Sequence, residues 1–330
     1  MRHTLPVFVL ISSFAFVVTA AETAPPAPRV RVLVVDKEEK QLAIIDPATR
    51  TILASVPVGD GPHEVVASAD GKLAIVSNYG GQVPGNTLSI IDLETLKETK
   101  RVKVAPLSRP HGLAASGNQV FFTTEASLAI ARLDLLTGEV DRVVGTSQKL
   151  SHMIVIDAPH QRLYTANIVS GSLSAMEPAQ GPGGYDVTQI AVPPGPEGIG
   201  VSPDGAQVWT AHRPTGGISV IDTATRKIIA TLPVSTFAFR IAFTADGRYA
   251  LATEPSASQL LVFDAHSHEL VKKIAIAGAP LTVATDGAKR AYVSVAETNK
   301  VVAIDLDQLA VADTMDAGGH PDGLAVAVMH

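Results

Sequence analysis

The 330-residue chain contains no cysteine. That excludes disulfides, thiolate metal sites, covalent c-type haem attachment and lipidation at cysteine. Charge is sparse as well: Asp, Glu, Lys and Arg make up 18% of the residues, with a formal balance of −6. An acidic chain of this kind has no electrostatic footprint for duplex nucleic acid, so none is expected as a partner. Several catalytic signatures are missing too. There is no GxSxG nucleophile elbow, no P-loop and no GxGxxG followed by a helix, which disfavours serine-dependent hydrolysis and nucleotide binding. Long apolar runs are limited to Leu5–Val18, which is short for a membrane span.

That run follows Arg2 and His3 and precedes small residues at Val18-Thr19-Ala20 and Thr19-Ala20-Ala21, the layout of a secretory signal. Cleavage of residues 1–21 would remove Arg2 and leave a mature chain of charge −7, periplasmic or secreted and without a membrane span. Residues 22–28, ETAPPAP, read as a flexible lead-in.

What is present is repetition. The stretch Gly61–Asp92 holds a short apolar strand, an Asp70-Gly71 turn, a second strand ending in Asn78, an Asn/Gly-rich loop and a third strand closed by Asp92. The pattern returns about every 40 residues, the signature of a β-propeller. Further units begin near Arg109, Lys149, Gly195, Phe237 and Ala279. The first unit, from Arg29 to Gly59, lacks an inner strand, and the chain ends on His320-Pro-Asp-Gly-Leu-Ala-Val-Ala-Val with nothing after it. Joining the two ends gives a seventh complete unit and leaves no open edge. The expected fold is therefore all-β: a single seven-bladed propeller over residues 29–330, with four-stranded antiparallel blades and a closing blade shared by both ends.

The third strands (LAIID, LSIID, AIARLD, LSAME, ISVID, LLVFD, VVAID) suit sheets buried on both faces. The turns at Asp70-Gly71, Asp204-Gly205 and Asp246-Gly247 are structural. The Gly/Pro-rich segment Glu177–Gly184 is expected as a loop on the face away from any site. NYGGQVPGNTLSIID, VSPDGAQVWTAH and RAYVSVAETNKVVAID resemble the YVTN-type seven-bladed propeller repeat, and the similarity to secreted bacterial proteins of the YncE type runs along essentially the whole mature chain. The resemblance implies the fold. It leaves function open among binding proteins, lactone hydrolases, metal-dependent lyases and redox enzymes, because the YVTN positions here are degenerate (AIVSN, LYTAN, VWTAH, ALATE, AYVSV).

Two positions per repeat should reach one funnel. The first, at the start of the inner strand, reads Asp322, His63, His111, His152, Glu197, Phe239 and Pro280 around the ring. The second, at the end of the second strand, reads Asp36, Asn78, Glu125, Asn167, His212, Glu254 and Val295, with Glu64, Arg240 and His320 close by. Imidazoles and carboxylates projected from rigid strands suit a divalent transition metal such as zinc or copper. The candidate metal ligands are His63, His111, His152, His212, Glu197, Asp322 and His320. Asn78, Glu125, Asn167, Glu254 and Arg240 are candidate ligand-binding or orienting groups.

Arg240 could hold a carboxylate or phosphate, or pair with Glu197 or Glu254. A structural role competes throughout, since an imidazole in a Pro-His-Gly strand opening can simply bond a neighbouring blade or line a wet channel. His160, His266 and His268 fall in turns, and Trp209 and Tyr164 in packing positions. The readings to separate are a binding protein for a metal ion or small ligand, a metal-dependent lyase or lactone hydrolase, and a protein-interaction scaffold.

Overall fold

The computed structural model describes residues 1, 28–180, 184–213, 215–287 and 289–329. The expected signal and nearly all of the lead-in lie outside the described residues, as does part of the Glu177–Gly184 loop. The architecture is a ring of seven four-stranded antiparallel sheets. Blade 1 is closed by the last strand, Pro321–Met329, which pairs with Arg29–Asp36 from Arg29 opposite Met329 to Asp36 opposite Pro321. Residues 285 positions and more apart thus share one sheet, and the first blade is completed by strands from both ends of the chain.

Each blade runs from an inner strand at the axis to an outer strand in solvent. In blade 5 these are Pro196–Val201, Gln207–His212, Ile218–Asp222 and Lys227–Leu232. Third strands such as Gln41–Asp46 are apolar and buried, whereas the outer strand Lys97–Lys103, KETKRVK, is mostly exposed. The apolar core consequently lies between blades. Leu33, Leu42, Ile44, Val65, Val76 and Ile91 seal blade 1 to blade 2, and Trp209, Val220, Ala252 and Phe263 seal blade 5 to blade 6. Trp209 and Tyr164 are buried packing residues, as expected. His160 and His268 lie in turns, bonded to Asp157 and Gln207.

Inner strands from adjacent blades approach so closely that a side chain cannot fit everywhere between them. A Cβ on Gly112 would lie 2.6 Å from the backbone oxygen of His152, and one on Gly198 or Gly323 would collide with the backbone of Phe239 or His63. A hydroxyl relay ties the same strands together. Thr123 accepts from the Gly112 N–H and donates to the His152 carbonyl at 2.6 Å. Thr253 links Arg240 to Leu281, and Ser294 links Thr282 to Asp322, in the same way. The backbone that carries the funnel residues is therefore fixed blade to blade.

Candidate functional site

Strand register decides which side chains face the axis. Pro62, Pro110, Ser151, Pro196, Pro280 and Pro321 start the inner strands and pair with Asn78, Thr124, Asn167, His212, Val295 and Asp36. The residue after each of these starts points inward: His63, His111, His152, Glu197, Leu281 and Asp322. Five of these match the sequence reading. In blade 7 the inward residue is Leu281 and not Pro280, because Thr282 there bonds Ser294 as Glu64 bonds Ser77 in blade 2.

The second expected ring needs a larger correction. Asn78, Asn167 and His212 turn back into their own blades and bond serines of the third strand: Asn78 with Ser89, Asn167 with Ser174, His212 with Ser219. Glu254 is consumed by Ser235, the Thr236 N–H and Gln259. Asp36 accepts from Gln41 and from the N–H groups of Glu39 and Gly319, and Val295 is apolar core. These residues build the blades and do not line the funnel. His320 stays exposed on the turn before the closing strand, where its N–H donates to Asn299.

Side chains alternate along a strand, so a one-residue slip exchanges the two faces. The residue after each of these second-strand positions is the one that turns toward the mouth, and in blades 1, 2 and 5 it is Lys37, Tyr79 and Arg213. Lys37 Nζ is 3.0 Å from His63 Nε2 and 3.2 Å from Asp322. The Tyr79 hydroxyl donates to Glu125 at 2.5 Å, and Arg213 reaches Glu197 at 3.3 Å. Glu125 itself is in the funnel because it already stands one residue past the paired Thr124. The alternation of the repeat could have identified all three missed residues.

The three histidines form a row. Ring centroids are 4.2 Å apart between His63 and His111 and 4.0 Å between His111 and His152. His152 Nδ1 lies 2.6 Å from Glu125, and its Nε2 faces Glu197 at 3.5 Å. His63 Nδ1 faces Asp322 at 3.3 Å. At the centre His111 is 1% exposed, and neither of its ring nitrogens has a hydrogen-bond partner. His63 Nδ1 and His152 Nε2 are unpartnered as well. Ligand atoms of His63, Glu64 and His111 lie within 4.8 Å of one another, and so do those of His111, Glu125 and His152.

Arg240 completes the buried cluster. Fully buried, its guanidinium donates to Glu64 at 2.6 Å, lies 3.9 Å from Glu197 and rests 4.1 Å over the Phe239 ring. Its Nε has no partner. Arg240 therefore pairs mainly with Glu64, with Glu197 at the margin and Glu254 uninvolved.

Burial holds the His63 and His111 imidazoles below their ordinary range, His111 far below and further depressed by its two neighbouring imidazoles. Burial acts the same way on His152, but the bond to Glu125 and the nearby Glu197 prevail and raise it. Burial and the bond to Glu125 push the Tyr79 phenol up to about 12. Four buried carboxylates, Glu64, Glu125, Glu197 and Asp322, face Arg240 and the half-buried Lys37. With neutral imidazoles, and with Arg213 counted beside Glu197, the four carboxylates face three cations and one negative charge is left over. A proton on His152, which its carboxylate neighbours favour, balances that charge.

No protein-family model matches this sequence, and no curated protein does either. Solved structures match its fold. Hydrazine synthase of Kuenenia stuttgartiensis aligns over 80% of this chain and 89% of its own, with 17% identity and a TM-score of 0.70. A functionally unknown protein from Desulfotomaculum acetoxidans aligns over 91% and 99%, with 14% identity and a TM-score of 0.74. The dihydro-heme d1 dehydrogenase NirN, in complex with DHE, aligns over 89% of this chain and 66% of its own, with 19% identity and a TM-score of 0.65. At these identities the likeness is one of fold.

Proposed function

We propose that this propeller is a secreted or periplasmic binding protein whose funnel holds a divalent transition metal, zinc or copper, on the His63–His111–His152 row. The observation that carries this reading is His111, a buried imidazole with both nitrogens unpaired. Buried polar groups are almost always satisfied, and leaving one unpaired costs about 1–3 kcal/mol. A bound cation would resolve that cost and would lie among the buried carboxylates of the hub. His152 Nδ1 is held by the Glu125 carboxylate, as the outer nitrogen of a metal-ligating histidine is, and its Nε2 faces Glu197 at 3.5 Å without a hydrogen bond. Glu64 or Glu125 would complete the donor set, and imidazole with carboxylate suits zinc or copper. The secreted location follows from the N-terminal sequence and the YVTN/YncE resemblance.

The catalytic alternative, a metal-dependent lyase or lactone hydrolase, has one observation behind it. Tyr79, Glu125 and His152 form a hydrogen-bonded chain from the mouth to the hub, a path along which a proton could pass. Binding without turnover explains the unpaired imidazoles with fewer assumptions. Element analysis of the purified protein tests the metal reading. Wild type is expected to hold one equivalent, and His63→Ala and His111→Ala are expected to lose it. Stoichiometric metal that survives both substitutions would remove the proposal.

A further inference from the structure

Three cationic side chains stand at the mouth of the funnel. Lys37 stands beside His63 at one end of the row, and Arg213 beside Glu197 at the other. Between them Arg109 lies with its guanidinium carbon 4.7 Å over the Tyr79 ring, which itself packs edge-on against His63 and His111. All three cations reach water: the side chains of Lys37 and Arg213 are 37% and 58% exposed, and Arg109 is half-buried. His63, with 18% of its side chain exposed, is the end of the row nearest solvent, whereas His111 and His152 lie deeper.

Lys37 and Arg213 are each paired with one buried carboxylate, Asp322 and Glu197, yet both keep part of their charged side chain in water, where a further anion can reach it. Long cationic side chains placed around a histidine row are good company for a metal that arrives already wrapped in negative charge. We propose that the funnel takes its metal as a net-anionic chelate of a small polycarboxylate. His63 and His111 would supply donors to the metal, and Lys37, Arg109 and Arg213 would grip the chelator's outward carboxylates, the arginines in bidentate fashion. This rests on the metal reading above and adds the form in which the metal is recognised.

Equilibrium dialysis of zinc distinguishes the two claims, run once in a non-coordinating buffer and once with excess citrate. Wild type is expected to retain zinc in the presence of citrate and to co-retain citrate. In Lys37→Gln/Arg213→Gln, citrate-complexed zinc should bind about tenfold or more weakly, as expected from losing two charge-assisted contacts. Free zinc should lose less affinity than the citrate complex does in that variant, and a thermal melt run alongside shows that the variant is folded. If citrate strips zinc from wild type, the chelate proposal fails while the metal site stands. A double variant that weakens both forms equally likewise overturns the chelate proposal. If zinc binds in neither form, both proposals fall.

Discussion

Arg240 and Glu64 stand 176 residues apart in the chain and meet 2.6 Å apart across the axis, joining blade 6 to blade 2. They occupy equivalent places in their repeats, where blades 1, 3 and 5 carry Gly323, Gly112 and Gly198. Two blades thus bring long charged side chains to a position that elsewhere has none.

Breaking that pair is expected to be costly. Arg240→Met leaves the Glu64 carboxylate buried and unpaired, which should destabilise the protein by about 3–5 kcal/mol. Glu64→Gln combined with Arg240→Met should recover most of the loss, since position 64 then carries no buried unpaired charge. Denaturant unfolding with chelator present measures both. A single variant as stable as wild type would mean that the pair is not buried as described.

His111 should behave in the opposite sense. His111→Leu removes two unpaired nitrogens at similar volume, so the metal-free protein is expected to match wild type or melt higher. Zinc should raise the melting temperature of wild type and leave that of the variant unmoved. A variant that loses stability without metal would assign His111 a structural role.

His212 predicts an acid-side slope. Burial lowers its pKa to about 4, below the usual value of about 6.5. The folded state therefore keeps the ring neutral while the unfolded state takes up a proton. Its contribution is fully present above about pH 6.5 and is lost as pH falls toward 4, by no more than about 3 kcal/mol at roughly 1.4 per unit. Asparagine fills the same place in blades 2 and 4, and bonds the matching serine there. His212→Asn should keep the contact with Ser219 and flatten stability between pH 6.5 and 4. An unchanged slope would assign it to other groups.

Gly198 tests the close approach of blades 5 and 6. A Cβ there collides with the Phe239 backbone, which cannot move without parting the inner strands. Gly198→Ala is expected to cost about 2 kcal/mol or more, in the range of overpacked cores. Gly117→Ala is a poor control because its φ is 56°. Gly145→Ala, with open space around it, should be nearly silent in the same thermal melt.

The sequence by itself determined the number of blades, their internal order and the closure of the ring. Those follow from local patterns: apolar third strands, Asp-Gly turns and two incomplete ends. It also delivered His63, His111, His152, Glu197 and Asp322 to one opening, because the strand starts repeat in phase. It placed Asn78, Asn167, His212 and Glu254 there too, and this is where local pattern gave out. Position along a repeat reads off a sequence, but which face a side chain takes depends on strand pairing, and one residue of slip reverses it. Only the folded ring turned those four inward to their blades and put Lys37, Tyr79 and Arg213 at the mouth. Only the ring could join Arg240 to Glu64, since attraction across an axis depends on distance in space between residues that nothing along the chain connects.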